Sequence, residues 1–193
     1  MARTADRGSR ERILTTAAGL FYRHGVRAVG MNQVIEAAGC GKNLLYTHFP
    51  SKSDLVAAYL RACRRERDRS AAAATGEVAG DDPAAHLLAL VGEIAATVRR
   101  PDFRGCALRI YLTEFPDDDG EPARLARDYL RDTRAEIDRL VARLGVVEPD
   151  HLADRIWLIT EGLYGSAGRP DPAATAATAI RLVEDLLTAA APR

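Results

Sequence analysis

The chain has 193 residues and a formal net charge of zero, with 27 Lys plus Arg balanced by 27 Asp plus Glu. That length suits one or two small domains. A composition of 47% apolar and 28% charged residues excludes a disordered or fibrous protein. No apolar run reaches the roughly 18 residues that cross a bilayer, so no membrane partner is expected.

The N-terminal segment and the cysteines indicate in which cellular compartment the protein is found. Residues 1–10 are basic, but no hydrophobic stretch follows them, so no signal peptide is expected. The three cysteines, Cys40, Cys63 and Cys106, are scattered and form no CxxC motif. This usage favours a reducing compartment over a disulfide framework, and a cytoplasmic location is predicted.

The zero net charge is the sum of two unlike halves. Residues 1–75 contain 13 Lys/Arg and 6 Asp/Glu, a net charge of +7, whereas residues 76–193 contain 14 and 21, a net charge of −7. Such asymmetry indicates that the N-terminal end meets a polyanion. Chance clustering on solvated helix faces is the alternative interpretation.

The first three elements are predicted to be helices, because strand signals are nearly absent and apolar residues recur at helical spacing. The first helix stops at Gly25 and carries one apolar stripe: Ile13, Leu14, Ala17, Leu20 and Phe21. Two short helices follow, one over 34–38 before Gly39 and one over 42–48.

A fourth helix is predicted to begin after Ser51 and to run to about Thr75. Ser51 is placed as the N-cap, with Asp54 three residues later in a capping-box pattern. The arginines along this helix are interpreted as a solvated face: Arg61, Arg64, Arg65, Arg67 and Arg69. A polar connector, residues 76–82, follows where the charge balance changes sign.

Three later helix starts share an acidic residue directly before a proline: Asp82-Pro83, Glu148-Pro149 and Asp171-Pro172. They divide the remaining chain into five helices, at about 83–99, 103–115, 121–144, 149–167 and 172–190. The predicted fold is therefore all-α with about nine helices, a compact N-terminal three-helix unit being joined to a larger helical bundle.

Residues 31–49 describe a helix-turn-helix, two short helices around a tight turn at Gly39-Cys40-Gly41. Its spacing is predicted to bury one face against the first helix: Val34, Ile35, Ala38 and Leu45 against Ile13 and Leu20. The other face of the second helix is then open to enter a major groove of double-stranded DNA.

The side chains on that open face suit DNA. Lys42 can donate to guanine, Asn43 can bridge adenine, and Leu44 can touch a thymine methyl group. Phosphates are expected to be contacted by Tyr46, Thr47, His48 and, at the start of the fourth helix, Lys52. The chain has two lysines against 25 arginines, and both lysines fall in this short window.

The stretch from Ile13 to Leu55 resembles the N-terminal domain of TetR-family transcriptional regulators, over about 45 of the 193 residues. The resemblance is carried by an ordered set of positions: Ala17-Ala18-Gly19-Leu20-Phe21, His24-Gly25, Ala38-Gly39, Lys42, Leu45-Tyr46, His48-Phe49-Pro50-Ser51-Lys52 and Leu55. It implies a homodimeric repressor, not an enzyme, with a helix-turn-helix DNA-binding domain at 1–54. It also implies an effector-binding and dimerisation domain at 55–193, connected through the fourth helix at about 52–75.

Carried over position by position, the resemblance assigns DNA contacts. Base-reading or groove-facing places fall to Asn32, Lys42, Asn43, Leu44 and Thr47, and phosphate-contacting places to Met31, Tyr46, His48 and Lys52. Met31 stands where the family usually has a capping Thr or Ser, so Asn32 is expected to take over the cap. Gly41 stands where a capping Ser is common.

The last two predicted helices carry narrow apolar stripes. Their spacing is that of a coiled-coil seam: Leu152, Ile156, Ile159 and Leu163, then Ala176, Ile180, Val183 and Leu187. Packing inside the chain's own bundle is one interpretation. The resemblance favours the other, a four-helix dimer interface that would space two recognition helices for a palindromic operator.

Three inner helices contribute candidate residues for an effector pocket: Phe103, Cys106, Ile110, Tyr111, Phe115, Tyr129, Thr133, Trp157, Thr160, Glu161 and Tyr164. Plain core is the alternative for any one of them. The segment from Gly105-Cys106 to Phe115-Pro116 also resembles a C-terminal subtype of the family, without fixing the small-molecule effector.

Three further hypotheses stay open. Arg104 and Arg109 near Cys106 could lower its pKa, which would suit a redox-responsive regulator. A helical enzyme with an accessory DNA-binding domain lacks any catalytic motif, and a non-specific architectural DNA protein conflicts with the −7 half. No cofactor is expected, and no His/Cys spacing predicts a metal site.

Overall fold

The computed structural model describes residues 7–190, and within that range the chain forms nine α-helices and no strand. The helices are α1 (Arg7–His24), α2 (Met31–Ala38), α3 (Lys42–His48), α4 (Lys52–Gly76), α5 (Pro83–Val98), α6 (Ala107–Glu114), α7 (Glu121–Ala142), α8 (Pro149–Tyr164) and α9 (Pro172–Ala190). The all-α prediction is confirmed. Most of the basic segment 1–10 lies outside the described residues.

The chain divides into two compact units. The described part of unit 1 comprises residues 7–65 and 107–129, and that of unit 2 comprises 66–106 and 130–190. Helices α4 and α7 therefore contribute residues to both. The predicted functional division after residue 54 stays a prediction, and unit 1 contains α6 in addition to the first helices.

Unit 1 is built around α1, which packs against α2 and α3. The stripe of α1 is buried as its spacing predicted, at Ile13, Ala17, Leu20 and Phe21. From the helix-turn-helix, Val34, Ala38 and Leu45 are buried as well, whereas Ile35 is only half-buried. Leu45 is 0% exposed. It anchors α3, which at seven residues is too short to be stable alone.

The helix ends follow local chemistry. Gly25 (φ +83°) and Gly39 (φ +57°) adopt left-handed backbone conformations beyond the ends of α1 and α2, which only glycine takes at no steric cost. Asp82 accepts a hydrogen bond from the Ala84 N–H at 2.9 Å, and Asp171 accepts one from Ala174 at 2.8 Å. These two predicted caps are confirmed.

Two details of the later helices differ from the expectation. Glu148 is the N-cap of α8, but its side chain makes no capping hydrogen bond. Glutamate is one methylene longer than the aspartate preferred at this position. The helix predicted at 103–115 begins only at Ala107, because Gly105 (φ +115°) has a backbone conformation that cannot continue an α-helix.

Unit 2 contains α5, α8 and α9, which pack against one another. Its core includes a polar cluster around Arg67 of α4. The Arg67 guanidinium donates to Glu93 at 2.9 Å, to Thr97 at 3.0 Å and to the Tyr164 hydroxyl at 2.9 Å. The interpretation of Arg67 as part of a solvated face is wrong, because its side chain is only 16% exposed.

The Arg67 cluster leads to a stability prediction. Glu93→Ala removes the carboxylate that pairs with the Arg67 guanidinium, and removing one partner of a buried ion pair typically costs about 3–5 kcal/mol. We expect a loss near the lower end, about 3 kcal/mol, because the Glu93 side chain keeps 12% exposure. Urea unfolding of the full chain, followed by circular dichroism, measures the free energy.

The control is Glu66→Ala, which removes an ion pair on the same helix. Glu66 contacts Arg69, but both side chains are largely exposed, at 64% and 75%. Such pairs contribute about 1 kcal/mol or less. Equal losses in the two variants would contradict the role assigned to the Arg67 cluster.

Candidate DNA-binding surface

The exposed side of α3 carries the residues predicted to meet DNA. Lys42, Asn43, Tyr46 and Thr47 are all exposed and follow the i, i+1, i+4, i+5 spacing of one helix face. Leu44, also predicted to contact DNA, is half-buried. The Lys42 ammonium lies 6.0 Å from the centre of the Tyr46 ring, at the outer limit of a cation–π contact.

The hydrogen bonding of Thr47 and the burial of one ring nitrogen of His48 limit which of their atoms can contact DNA. The Thr47 hydroxyl donates to the Asn43 carbonyl at 2.7 Å, which leaves its methyl group and an oxygen lone pair for a partner. The Nε2 atom of His48 is buried and has no hydrogen-bond partner among the described residues. A phosphate contact from His48 would therefore have to use the other ring nitrogen.

The start of α2 differs from the expected capping. The N-cap is Gly30, which has an extended backbone and makes no side-chain capping bond. The expectation that Asn32 takes over the cap is wrong, because Asn32 lies within the first turn. It is exposed, and Met31 is half-buried. Gly41 caps α3 in the same way, without a side chain.

The start of α4 is capped by Ser51 as predicted. The Ser51 hydroxyl accepts a hydrogen bond from the Asp54 N–H at 3.1 Å and donates to the Asp54 carboxylate at 2.6 Å. Lys52, the first residue of the helix, is half-buried. Burial lowers the pKa of Lys52, and the nearby carboxylate of Glu114 opposes that shift.

Two contacts near this surface were missed by the sequence reasoning. The Arg10 guanidinium lies over the Phe49 ring, 4.9 Å from its centre. The Glu114 carboxylate accepts hydrogen bonds from the backbone of the loop between α1 and α2, 87 and 88 residues away in sequence. Gly25 is the sequence feature that could have pointed to the Glu114 contact. The end of α1 already accounted for a glycine at this position, so no distant partner was predicted.

The predicted seam residues of α8 and α9 lie mostly inside their own unit. The buried ones are Leu152, Ile156, Leu163, Ala176 and Val183, and the half-buried ones are Ile159, Ile180 and Leu187. Because α8 and α9 pack against each other and against α5, the buried residues offer little surface to a partner chain. The large apolar residues left exposed on these helices are Leu158 (68%) and Leu182 (47%).

The predicted effector-pocket residues are divided between the two units. In unit 1, Tyr111 and Tyr129 are buried and Ile110 is half-buried. The Tyr111 hydroxyl donates to Asp118 at 2.7 Å, and its ring stacks on Phe115 with 4.9 Å between centres. Burial, reinforced by Asp118, raises the pKa of Tyr111 well above its ordinary value, so it stays a hydrogen-bond donor.

In unit 2, the polar candidates on α8 are already engaged. The buried Thr160 hydroxyl donates to the Trp157 carbonyl at 2.7 Å, and Tyr164 belongs to the Arg67 cluster. The other candidates of this unit are the buried Cys106 and the half-buried Phe103, Thr133, Trp157 and Glu161. Cys106 is 5% exposed, and its redox role stays a prediction.

A cavity of about 400 Å³ lies elsewhere in unit 2, at the turn between α7 and α8 and the end of α9. Its lining includes Val147, His151, Arg155 and Leu186, none of which was predicted to line a pocket. Across residues 7–190 no group of three His, Cys, Asp or Glu side chains is arranged to hold a metal ion. Within the same range no helix combines the length and the apolarity that a membrane span requires.

Residues 13–59 match the family model of bacterial regulatory proteins of the tetR family. Over 89 residues the chain is 33% identical to the HTH-type transcriptional regulator Rv1255c of Mycobacterium tuberculosis, a match covering 46% of this chain and 43% of that one. The chain thus spans less than half the length of the curated relatives it matches.

Solved structures match over nearly the whole chain. SCO4454, a TetR-family transcriptional regulator from Streptomyces coelicolor, superposes with a TM-score of 0.89 at 26% identity, covering 97% of this chain and 98% of that one. The protein sav143 from Streptomyces avermitilis is 31% identical, with a TM-score of 0.75 and coverage of 94% of this chain and 97% of that one. The chain belongs to the TetR family of transcriptional regulators, which bind DNA through a helix-turn-helix.

The cap of α4 generates a prediction about this surface. Ser51→Ala removes the acceptor for the Asp54 N–H, and loss of such an N-cap typically costs about 1 kcal/mol. The free energy of unfolding from urea titration should fall by that amount. The control is Ser53→Ala, a substitution at an exposed residue two positions further along the chain. Its free energy of unfolding should stay within about 0.5 kcal/mol of that of the unaltered protein. Equal effects would contradict the capping role.

Proposed function

We propose that this protein is a repressor that binds a palindromic operator as a homodimer, acts in the cytoplasm and has no catalytic role. The observation that carries the proposal is the exposed face of α3. Lys42, Asn43, Tyr46 and Thr47 point away from the core because Leu45 on the opposite face is completely buried. A short helix held in this way can enter a major groove with its polar face outward.

Each predicted DNA contact has a separate role in this proposal. Lys42 and Asn43 read base edges, since lysine can donate to guanine and asparagine can pair with adenine. Asn32, Leu44 and Thr47 contact the same groove. The residues proposed to contact phosphates, which fix position but not sequence, are Met31, Tyr46, His48 and Lys52.

The dimer is proposed to form through the exposed faces of α8 and α9. Leu158 and Leu182 are large apolar residues left exposed on two helices that pack side by side. The buried seam residues, among them Ile156 and Val183, would support this face from beneath. Two recognition helices related by a two-fold axis would then read half-sites about 34–36 Å apart.

A small-molecule effector is proposed to release the protein from DNA by binding in the region 55–193. Support comes from membership of the TetR family and from aromatic and polar residues in that region, of which Trp157 and Glu161 are half-buried. A coupling free energy of about 1–3 kcal/mol between effector and operator would be sufficient.

The DNA-binding proposal predicts that Lys42→Ala weakens binding to a duplex selected by the unaltered protein from a random-sequence pool. Loss of one base contact typically costs about 1–3 kcal/mol, or roughly 5- to 150-fold in affinity. The selected duplex should be palindromic, and fluorescence anisotropy at fixed salt measures the affinity. Salt is held constant because phosphate contacts make every affinity salt-dependent.

The matched control is Arg139→Ala, which also removes one exposed positive charge, but from α7 in unit 2. It should leave the affinity unchanged. The proposal would be contradicted by a selection that enriches no sequence, or by equal affinities of the Lys42 and Arg139 variants.

The dimer proposal predicts that Leu158→Arg converts the protein to a monomer, because two charges would be buried against each other across a two-fold axis. Light scattering after size-exclusion chromatography measures the mass. Val147→Arg also introduces an arginine, but at a residue that is 97% exposed on the turn before α8. This variant should remain dimeric. A Leu158→Arg variant of dimeric mass would contradict the assigned interface.

A further inference from the structure

The last residue of α6 holds the loop that leads into the helix-turn-helix. One oxygen of the Glu114 carboxylate accepts a hydrogen bond from the Val26 N–H at 3.2 Å, and the other accepts one from the Arg27 N–H at 2.8 Å. Both oxygens are thus engaged by successive backbone amides. Hydrogen bonds from backbone N–H groups to a carboxylate are stronger than those between neutral groups. We call this arrangement the Glu114 clamp.

Side-chain contacts reinforce the Glu114 clamp. The Arg27 guanidinium donates to the backbone carbonyl of Glu114 and lies over the Phe115 ring, 4.7 Å from its centre. Phe115 in turn stacks on Tyr111, whose hydroxyl is held by Asp118. The loop is therefore bound both by hydrogen bonds and by a stack of planar groups, all within unit 1.

Gly25 makes room for this contact. A Cβ atom at position 25 would lie 2.9 Å from a carboxylate oxygen of Glu114, closer than real contacts allow. Gly39 also has a positive φ, but a Cβ atom there would meet nothing within 4 Å. Position 25 therefore favours glycine for two reasons. Its positive φ is accessible to glycine without steric cost, and the absence of a Cβ atom lets the Glu114 carboxylate approach.

The position of the clamp connects it to DNA binding. The loop it holds runs directly into α2, whose N-cap Gly30 contributes no side-chain bond. The first turn of α2 carries Met31 and Asn32, both proposed DNA contacts. The carboxylate also raises the pKa of Lys52 against the effect of burial, which favours the charged form at another proposed phosphate contact.

We propose that Glu114 is a positioning residue for operator binding, which sets the start of α2 through the loop that it holds, without touching DNA itself. This inference rests on the proposed function. It extends the DNA-binding machinery to α6, a helix that contributes none of the proposed DNA contacts. A residue acting only on fold stability would not change affinity in molecules that are already folded.

The test is Glu114→Gln, which keeps the size of the side chain and removes its charge. A glutamine can accept from one of the two amides, but its own NH₂ group would face the other. We expect faster hydrogen exchange at the Val26 and Arg27 amides and a roughly tenfold or greater loss of affinity for the selected duplex. A tenfold loss follows if the loop is correctly placed in about one molecule in ten.

Asp117→Asn is the matched control, since it removes an exposed carboxylate three residues further along the chain. This variant should change neither the hydrogen-exchange rates of the two amides nor the affinity for the duplex by more than about twofold. A change of that size is expected from loss of one distant surface charge. Arg27→Lys is the second variant, which keeps the charge but loses the planar stack on Phe115. It should lower the affinity less than Glu114→Gln, and it decides the matter if Glu114→Gln fails to fold.

The outcomes separate the two proposals. Faster exchange at both amides together with weaker binding, in a variant with cooperative unfolding, supports the inference. Faster exchange with unchanged affinity overturns it, and so does an unchanged exchange rate or an Arg27→Lys variant of full affinity. If the unaltered protein selects no duplex, the proposed function fails and this inference fails with it.

Discussion

The structure depends on the tertiary contacts that stabilise α3, a seven-residue helix that is too short to be stable alone. Isolated helices shorter than about 12–15 residues are marginal in water, so α3 takes its stability from tertiary contacts. Leu45 and Phe49 provide them, both almost completely buried, and each such side chain contributes about 1.5–3 kcal/mol by leaving water. Because these anchors occupy one face, the remaining polar side chains of α3 are left outside, where a groove could receive them.

The charged residues of the chain divide into those that solvent screens and those that the fold uses. The Arg67–Glu93 pair has lost most of its water and gains hydrogen bonds to Thr97 and Tyr164 in exchange. Breaking such a pair is costly even though forming it contributes little net stability. Its value is therefore specificity, since it requires α4, α5 and α8 to meet in one arrangement. Lys42, the exposed charged residue of α3, carries no such constraint and remains available to a partner.

Sequence reasoning succeeded where the determining interactions are local. Helix periods, the Ser51 cap and the glycine at the end of α1 depend on residues within a few positions of each other. It failed where the partner is distant: Glu114 binds amides 87 and 88 residues away, and Arg67 pairs with Glu93, 26 residues away. Periodicity likewise could not distinguish a stripe buried in its own unit from one that faces a second chain.

The opposite charges of the two sequence halves do not coincide with the two structural units. Residues 7–65 carry 10 basic and 3 acidic side chains, but residues 107–129 bring 3 basic and 6 acidic ones into the same unit, which lowers its net charge to +4. Several of these carboxylates are engaged inside the unit: Glu114 by loop amides, Asp118 by Tyr111 and the Gly120 N–H, and Glu121 by Arg61. The fold thus places Glu114 beside the loop that leads into the helix-turn-helix and binds its carboxylate to donors of that loop. The positive potential that would attract a phosphate backbone therefore originates from the first 65 residues and not from the unit as a whole.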